Sequence, residues 1–157
     1  MFQEKKQFSS HVGIKSRVDV KLWDEFGNLK EQRIIHNTVT ELGDAHVADA
    51  MSDKAEGALG YMGIGTGTGQ TSASTGLKTA LDRNALTSTT QGTGAADNDV
   101  VFVGDWAAGD GTGAITEAGI FLGDNNTSMN YYASFSVINK GAADTLKITW
   151  TTTYGAS

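Results

Sequence analysis

The sequence predicts a mainly β fold: an antiparallel β-sandwich or jelly-roll-like domain with one short helix and an extended N-terminal arm. Three observations carry this. Threonine is abundant, with nineteen copies in 157 residues, and its β-branched side chain suits strands with one wet face. Apolar and polar residues alternate in several runs of strand length, separated by glycine-rich turns. Only one stretch changes to helical periodicity. Roughly eight short strands spaced this closely fit two packed antiparallel sheets better than a parallel α/β sheet.

Residues 1–16 show neither periodicity nor a core run and read as an extended arm, leaving residues 17–157 as a single β-rich domain. In "RVDVKLWDEFGNLKEQRII", Val18, Val20 and Leu22 oppose Arg17, Asp19 and Lys21. The tract "DEFGN" supplies turn chemistry, and residues 29–35 return as the second strand of a hairpin. Leu42, His46, Val47, Ala50 and Met51 recur at three- and four-residue spacing, so a helix is expected over about 40–52, capped by Thr40. The run "ALGYMGIG" reads as a buried strand. A helical turn followed by a strand over 85–90 is expected in "LKTALDRNALTSTT", then strands over 99–107 and between Gly113 and Gly123. "MNYYASFSVIN" alternates Tyr131, Ala133, Phe135 and Val137 against Tyr132, Ser134 and Ser136. "DTLKITWTTTYG" does the same with Leu146, Ile148, Trp150, Thr152 and Tyr154. The loop "NKGAAD" between these two has hairpin length, so Phe135 and Trp150 are expected on inward faces of adjacent strands.

Composition narrows the function. The formal net charge is −6, which repels rather than attracts nucleic acid. Cysteine is absent, so thiolate nucleophiles, disulfides and Cys-ligated metals are excluded. No segment is apolar enough to span a bilayer as a helix, and the N-terminus lacks the apolar core of a signal peptide. Use without secretion is the expectation.

The stretch "GIGTGTGQTSASTG" looks like a phosphate cradle, yet it fits neither nucleotide motif. From Gly63 or Gly65 the sixth position is Thr68 or Gln70 rather than glycine, and Gly76 is followed by Leu77 rather than lysine. A turned loop after a core strand is expected. His11, His36 and His46 fall on different elements without ligand spacing. Asp110, Asp124 and Asn125 resemble fragments of calcium loops but lack the full spacing. Glu117 is the anomaly, a carboxylate inside the apolar strand "ITEAGIFLG". It costs free energy unless paired or hydrogen-bonded, and loop amides or a cation are its expected partners. No catalytic, cofactor-binding or metal residue emerges, and the protein is expected not to be an enzyme.

The arm is different. Phe2, Phe8, Val12 and Ile14 stand among Lys5, Lys6 and Lys15, a mixture that a purely solvating tail does not need. These seven residues are the candidate partner-binding set.

Several motifs, in order, resemble a family of small virion-associated structural proteins of tailed bacteriophages. They are the "D-E-F-G-N" hairpin, "N-T-V-T-E-L-G" before the helix, "MGIGTGTGQTSASTGLKTAL", "ITEAGIF" and "NKGAADTLKITW". The resemblance covers roughly residues 17 to 154. It implies a non-enzymatic virion protein, either a capsid cement or decoration protein that clamps neighbouring major capsid subunits, or a tail, neck or fibre-attachment protein. It further implies a homo-oligomer, with a trimer favoured, residing on the capsid surface and in the host cytoplasm during assembly. A carbohydrate-binding module is a further alternative, suggested by Trp23, Trp106, Trp150 and the Tyr131–Tyr132 pair, although Trp106 and Trp150 fall in strand patterns.

Overall fold

A computed structural model describes residues 13–54 and 56–155. The strands are β1 (Ile14–Trp23), β2 (Leu29–Ile35), β3 (Thr38–Val39), β4 (Tyr61–Gly65), β5 (Ala80–Ala85), β6 (Ser88–Gln91), β7 (Asp99–Trp106), β8 (Gly113–Phe121), β9 (Met129–Lys140) and β10 (Thr145–Tyr154). One α-helix, α1, spans Glu41–Met51. The strands form two five-stranded sheets, in the orders β2-β1-β10-β7-β6 and β3-β9-β8-β4-β5, and every pairing is antiparallel. The fold is mainly β and sandwich-like, as the alternation predicts.

The core follows from that alternation. In the first sheet Val18, Val20 and Leu22 sit across from Trp150, Ile148 and Leu146. All six are buried and share one cluster with Met62, Ile64, Ala118, Ile120 and Tyr131 of the second sheet. The second sheet is also covered on its other face. Leu77, Phe121, Met129 and Tyr132 make a separate buried cluster there, because Phe121 and Tyr132 alternate with Ile120 and Tyr131. β8 is therefore buried on both sides, which explains its nearly unbroken apolar run.

The helix forms where the period changes. Thr40 has extended backbone and its hydroxyl accepts from the Gly43 amide at 3.1 Å, the expected cap. Gly43 abuts the Asn130 carbonyl so closely that a Cβ there would collide with it. It is the only buried residue of the helix.

Five expectations are corrected. β1 begins at Ile14, so Ile14 and Lys15 are strand residues opposite Tyr154 and Thr153. No helical turn precedes residue 85; residues 80–85 are a strand of the second sheet, and residues 88–91 pair with β7 in the first. The "NKGAAD" loop does not close a hairpin: β9 and β10 lie in different sheets. Phe135 and Trp150 both face inward, but from opposite layers. Val137 is exposed and Ile138 buried instead. The pairs Ile115↔Ile138 and Glu117↔Ser134 show why, since two steps along β8 match four along β9. The bulge resets which residues face in.

Candidate functional site: a carboxylate under the glycine-rich loop

The glycine-rich stretch leaves β4 at Gly65 and returns to β5 at Ala80. Glu117 stands directly opposite Gly65 in the β4–β8 pair and is fully buried. Its Oε1 accepts from the amides of Gly67 at 3.1 Å and Thr79 at 2.9 Å. Its Oε2 accepts from the Lys78 amide at 3.1 Å and the Tyr132 hydroxyl at 3.1 Å. Four donors thus replace the water that burial removes. Among the described residues no salt bridge reaches this carboxylate; dipoles neutralise it, not a cation.

Two glycines make room. A Cβ on Gly65 would strike Glu117 Oε1, and it would lie 2.5 Å from the Thr79 carbonyl. A Cβ on Gly63 would come 2.9 Å from the Phe121 ring and 3.3 Å from Leu77. At the end of the loop Leu77 packs with Phe121, Met129 and Tyr132 on this face of the sheet. Burial, reinforced by the Glu117 charge, pushes the Tyr132 hydroxyl up to about 12, so it remains a proton donor to Glu117 at neutral pH.

Further side chains fix the loop. Asn126 Oδ1 accepts from the Leu77 amide at 2.9 Å, and its Nδ2 donates to the Leu77 carbonyl at 3.1 Å. Thr116 donates to the Gly67 carbonyl at 2.7 Å, and Gln70 to the Gly76 carbonyl at 2.5 Å. The Met129 and Glu41 amides donate to the Thr75 and Ser72 carbonyls. The loop does cradle an anion, but the chain supplies it. The amides of Gly67, Lys78 and Thr79 are taken and do not face an incoming phosphate.

Compared with models of known protein families, with curated proteins and with solved structures, the chain matches none.

The other sequence candidates are dispersed. His36 Nδ1 lies 2.7 Å from the Ser16 carbonyl, and His46 Nδ1 lies 3.5 Å from Glu56 Oε2. Asp124 pairs with Arg83 at 3.0 Å, and Asn125 Oδ1 accepts from the Thr127 amide and hydroxyl. Among the described residues no group of three or more His, Asp or Glu is placed to hold a metal. Trp106, Trp150, Tyr131 and Tyr132 are buried, whereas Trp23 is half-buried. Of the arm set, Ile14 packs against the core and Lys15 is exposed on β1. Phe2, Lys5, Lys6, Phe8 and Val12 lie outside the described residues.

Sequence reasoning marked Glu117 and the class of its partners but not which amides they are. It missed the corner between β9 and β10. There Asp144 Oδ2 accepts from Lys30 Nζ at 2.9 Å and the Gly141 amide at 2.7 Å, and buried Lys140 donates to the Ala107 carbonyl at 3.0 Å. The signal was available: a lysine and an aspartate in a short glycine loop can serve an inter-sheet corner as well as a hairpin.

Proposed function

We propose that this chain is a non-enzymatic structural protein of a tailed-bacteriophage particle, acting as a capsid cement or decoration protein that binds the major capsid protein. The observation that carries the reading is the Glu117 cluster. The "GTG", "LKT" and "ITEAG" residues that resemble the phage family are the ones that hold the loop onto the sheet. The conspicuous carboxylate is fully buried beneath main-chain amides rather than open to a substrate. Residues engaged in this way build a rigid body, which suits a protein whose work is to hold neighbours together.

The surface is compatible with that work. At the tip of the β1–β2 hairpin Phe26 is 79% exposed. Asp24 Oδ1 holds the turn by accepting from the Phe26 and Asn28 amides, both at 2.9 Å. Leu29 and Ile34 of β2 are exposed as well. An exposed phenylalanine on an ordered turn is a ready contact. On this reading the arm, with Phe2, Lys5, Lys6, Phe8 and Val12, adds contacts across subunit boundaries. Closed symmetry of a small oligomer, a trimer in our reading, lets one chain serve every equivalent site.

Quantitative gel staining of purified particles tests the proposal. A copy number comparable to that of the major capsid protein is expected. A number too small for the shell moves the protein to the neck, tail or fibre, and absence from particles overturns the reading. Binding on a glycan array would instead support a carbohydrate-binding module.

A further inference from the structure

Helix α1 carries Leu42, Ala45 and Asp49 at three- and four-residue spacing, so these side chains share one face. That face meets the end of the second sheet and the turn between β8 and β9. There Leu42, Ala45 and Asp49 line a cavity of about 170 Å³ together with Leu122, Asn130 and Glu56. Leu42, Ala45 and Leu122 give it an apolar side; Asp49, Glu56 and Asn130 give it a polar one.

The polar groups left open are acceptors. Asn130 is 3% exposed. Its Nδ2 donates to the Ser128 carbonyl at 2.9 Å, and its Oδ1 is buried with no hydrogen-bond partner. A buried carbonyl oxygen without a donor is uncommon and costs free energy. The two carboxylates are only loosely held. Lys54 Nζ lies 3.9 Å from Asp49 Oδ1, and His46 Nδ1 lies 3.5 Å from Glu56 Oε2, both too long for a good hydrogen bond. The hydroxyls that complete the lining are already engaged. Thr127 donates to Asn125 Oδ1 at 2.8 Å, and Ser128 is taken up by the Gly123 amide and carbonyl.

Three acceptors beside an apolar wall call for a guest that donates hydrogen bonds, carries positive charge and presents hydrocarbon. We propose that this cavity binds an aliphatic primary ammonium group. Its three N–H donors serve Asn130 Oδ1, Asp49 and Glu56, and its methylene stem lies along Leu42, Ala45 and Leu122. Calcium suits the cavity less well, because it takes about six to eight oxygen ligands and much of this lining is hydrocarbon. The same head group occurs on free alkylamines and on lysine side chains. The site goes beyond the virion reading and does not rest on it, since binding is a property of the chain alone.

Amide NMR of the full chain tests the site, with n-butylammonium chloride as the probe at constant ionic strength. Saturable shifts are expected at Leu42, Ala45, Leu122 and Asn130, with a Kd on the order of 1 mM for so small a ligand. Butanol has the stem without the charge, and tetramethylammonium has the charge without N–H donors; each should bind about tenfold more weakly. Asp49→Asn combined with Glu56→Gln should weaken butylammonium about tenfold as well. Unchanged signals from Met62 and Ile120, both fully buried, show that this variant stays folded. Nα-acetyl-lysine N-methylamide separates the two sources. Binding as tight as that of butylammonium extends the site to lysine side chains, and binding of the alkylamine alone assigns it to free amines. No saturable shift at these residues overturns the proposal, and is the result if a water alone satisfies Asn130. Equal binding of butanol or tetramethylammonium, or tighter binding of calcium, overturns it too.

Discussion

Glu117 and Gly65 face each other across the β4–β8 pair, and the missing side chain at Gly65 gives the carboxylate its path to the loop amides. Glu117→Ala leaves three part-buried amides and one buried hydroxyl without their acceptor. The loss is expected to be at least about 3 kcal/mol, given about 1–3 kcal/mol for each orphaned buried group. Gly65→Ala should destabilise through the clash with Glu117 and Thr79, and the double variant should cost less than the sum of the two, because they share one site. Urea unfolding measures all three. A Glu117→Ala cost within about 0.5 kcal/mol, the range of ordinary surface changes, would falsify the clamp.

Trp150 lies fully buried in β10, opposite Phe102. Trp150→Ala should cost about 3–5 kcal/mol, as large core deletions do. Its indole N–H is buried without a hydrogen-bond partner, so Trp150→Phe removes an unsatisfied donor along with part of the ring. The phenylalanine variant should therefore lose less than half of what the alanine variant loses. Thermal unfolding of the pair decides it; equal losses would mean that the N–H is satisfied in solution.

Tyr132 supplies a pH test. Its folded value, about 12, lies above the ordinary tyrosine value of about 10. The folded state therefore holds this proton more tightly than the unfolded chain. The stabilisation is complete below pH about 10 and is lost as pH rises through about 12. Burial raises Tyr131 in the same direction. Unfolding free energy should fall over that interval, and less steeply for Tyr132→Phe. Folded protein in which every tyrosine has ionised by pH about 11 would contradict this.

Asp144 supplies the acid-side counterpart. The hydrogen bond from Lys30, followed by the Gly141 amide, holds its carboxyl below the usual aspartate value. Its contribution is present above that usual value and fades as pH falls through and below it. Asp144→Asn should reduce the acid sensitivity of unfolding and weaken the β9–β10 corner. An unchanged acid profile would show that Lys30, itself well exposed, does not hold the pair in solution.

Residues that report their own environment made the sandwich legible. Val18, Val20 and Leu22 alternate strictly and so do Leu146, Ile148 and Trp150, because each strand has one wet face and no bulge among these residues. Thr40 announced the helix because a cap is a local interaction. Glu117 announced a buried anion because an apolar strand has no other place for it. What stayed hidden was non-local. The three amide partners of Glu117 lie some forty to fifty residues back along the chain. Val137 and Ile138 exchanged roles because of a bulge that hydrophobicity alone does not mark. A loop of hairpin length became an inter-sheet corner because β10 found β1 and β7.

That choice of neighbours sets an order of events during synthesis. β1 pairs along its whole length with β10, from Ile14↔Tyr154 to Trp23↔Thr145, so the first of the described strands to be made waits for the last. The β1–β2 hairpin can form early, but the first sheet has no centre until β10 leaves the ribosome. Such distant pairing slows folding and leaves Val18, Val20 and Leu22 uncovered in the growing chain. A ribosome stalled before Thr145 should carry a nascent chain that chaperones bind and proteases cut, whereas one stalled well beyond Tyr154 should carry a resistant domain.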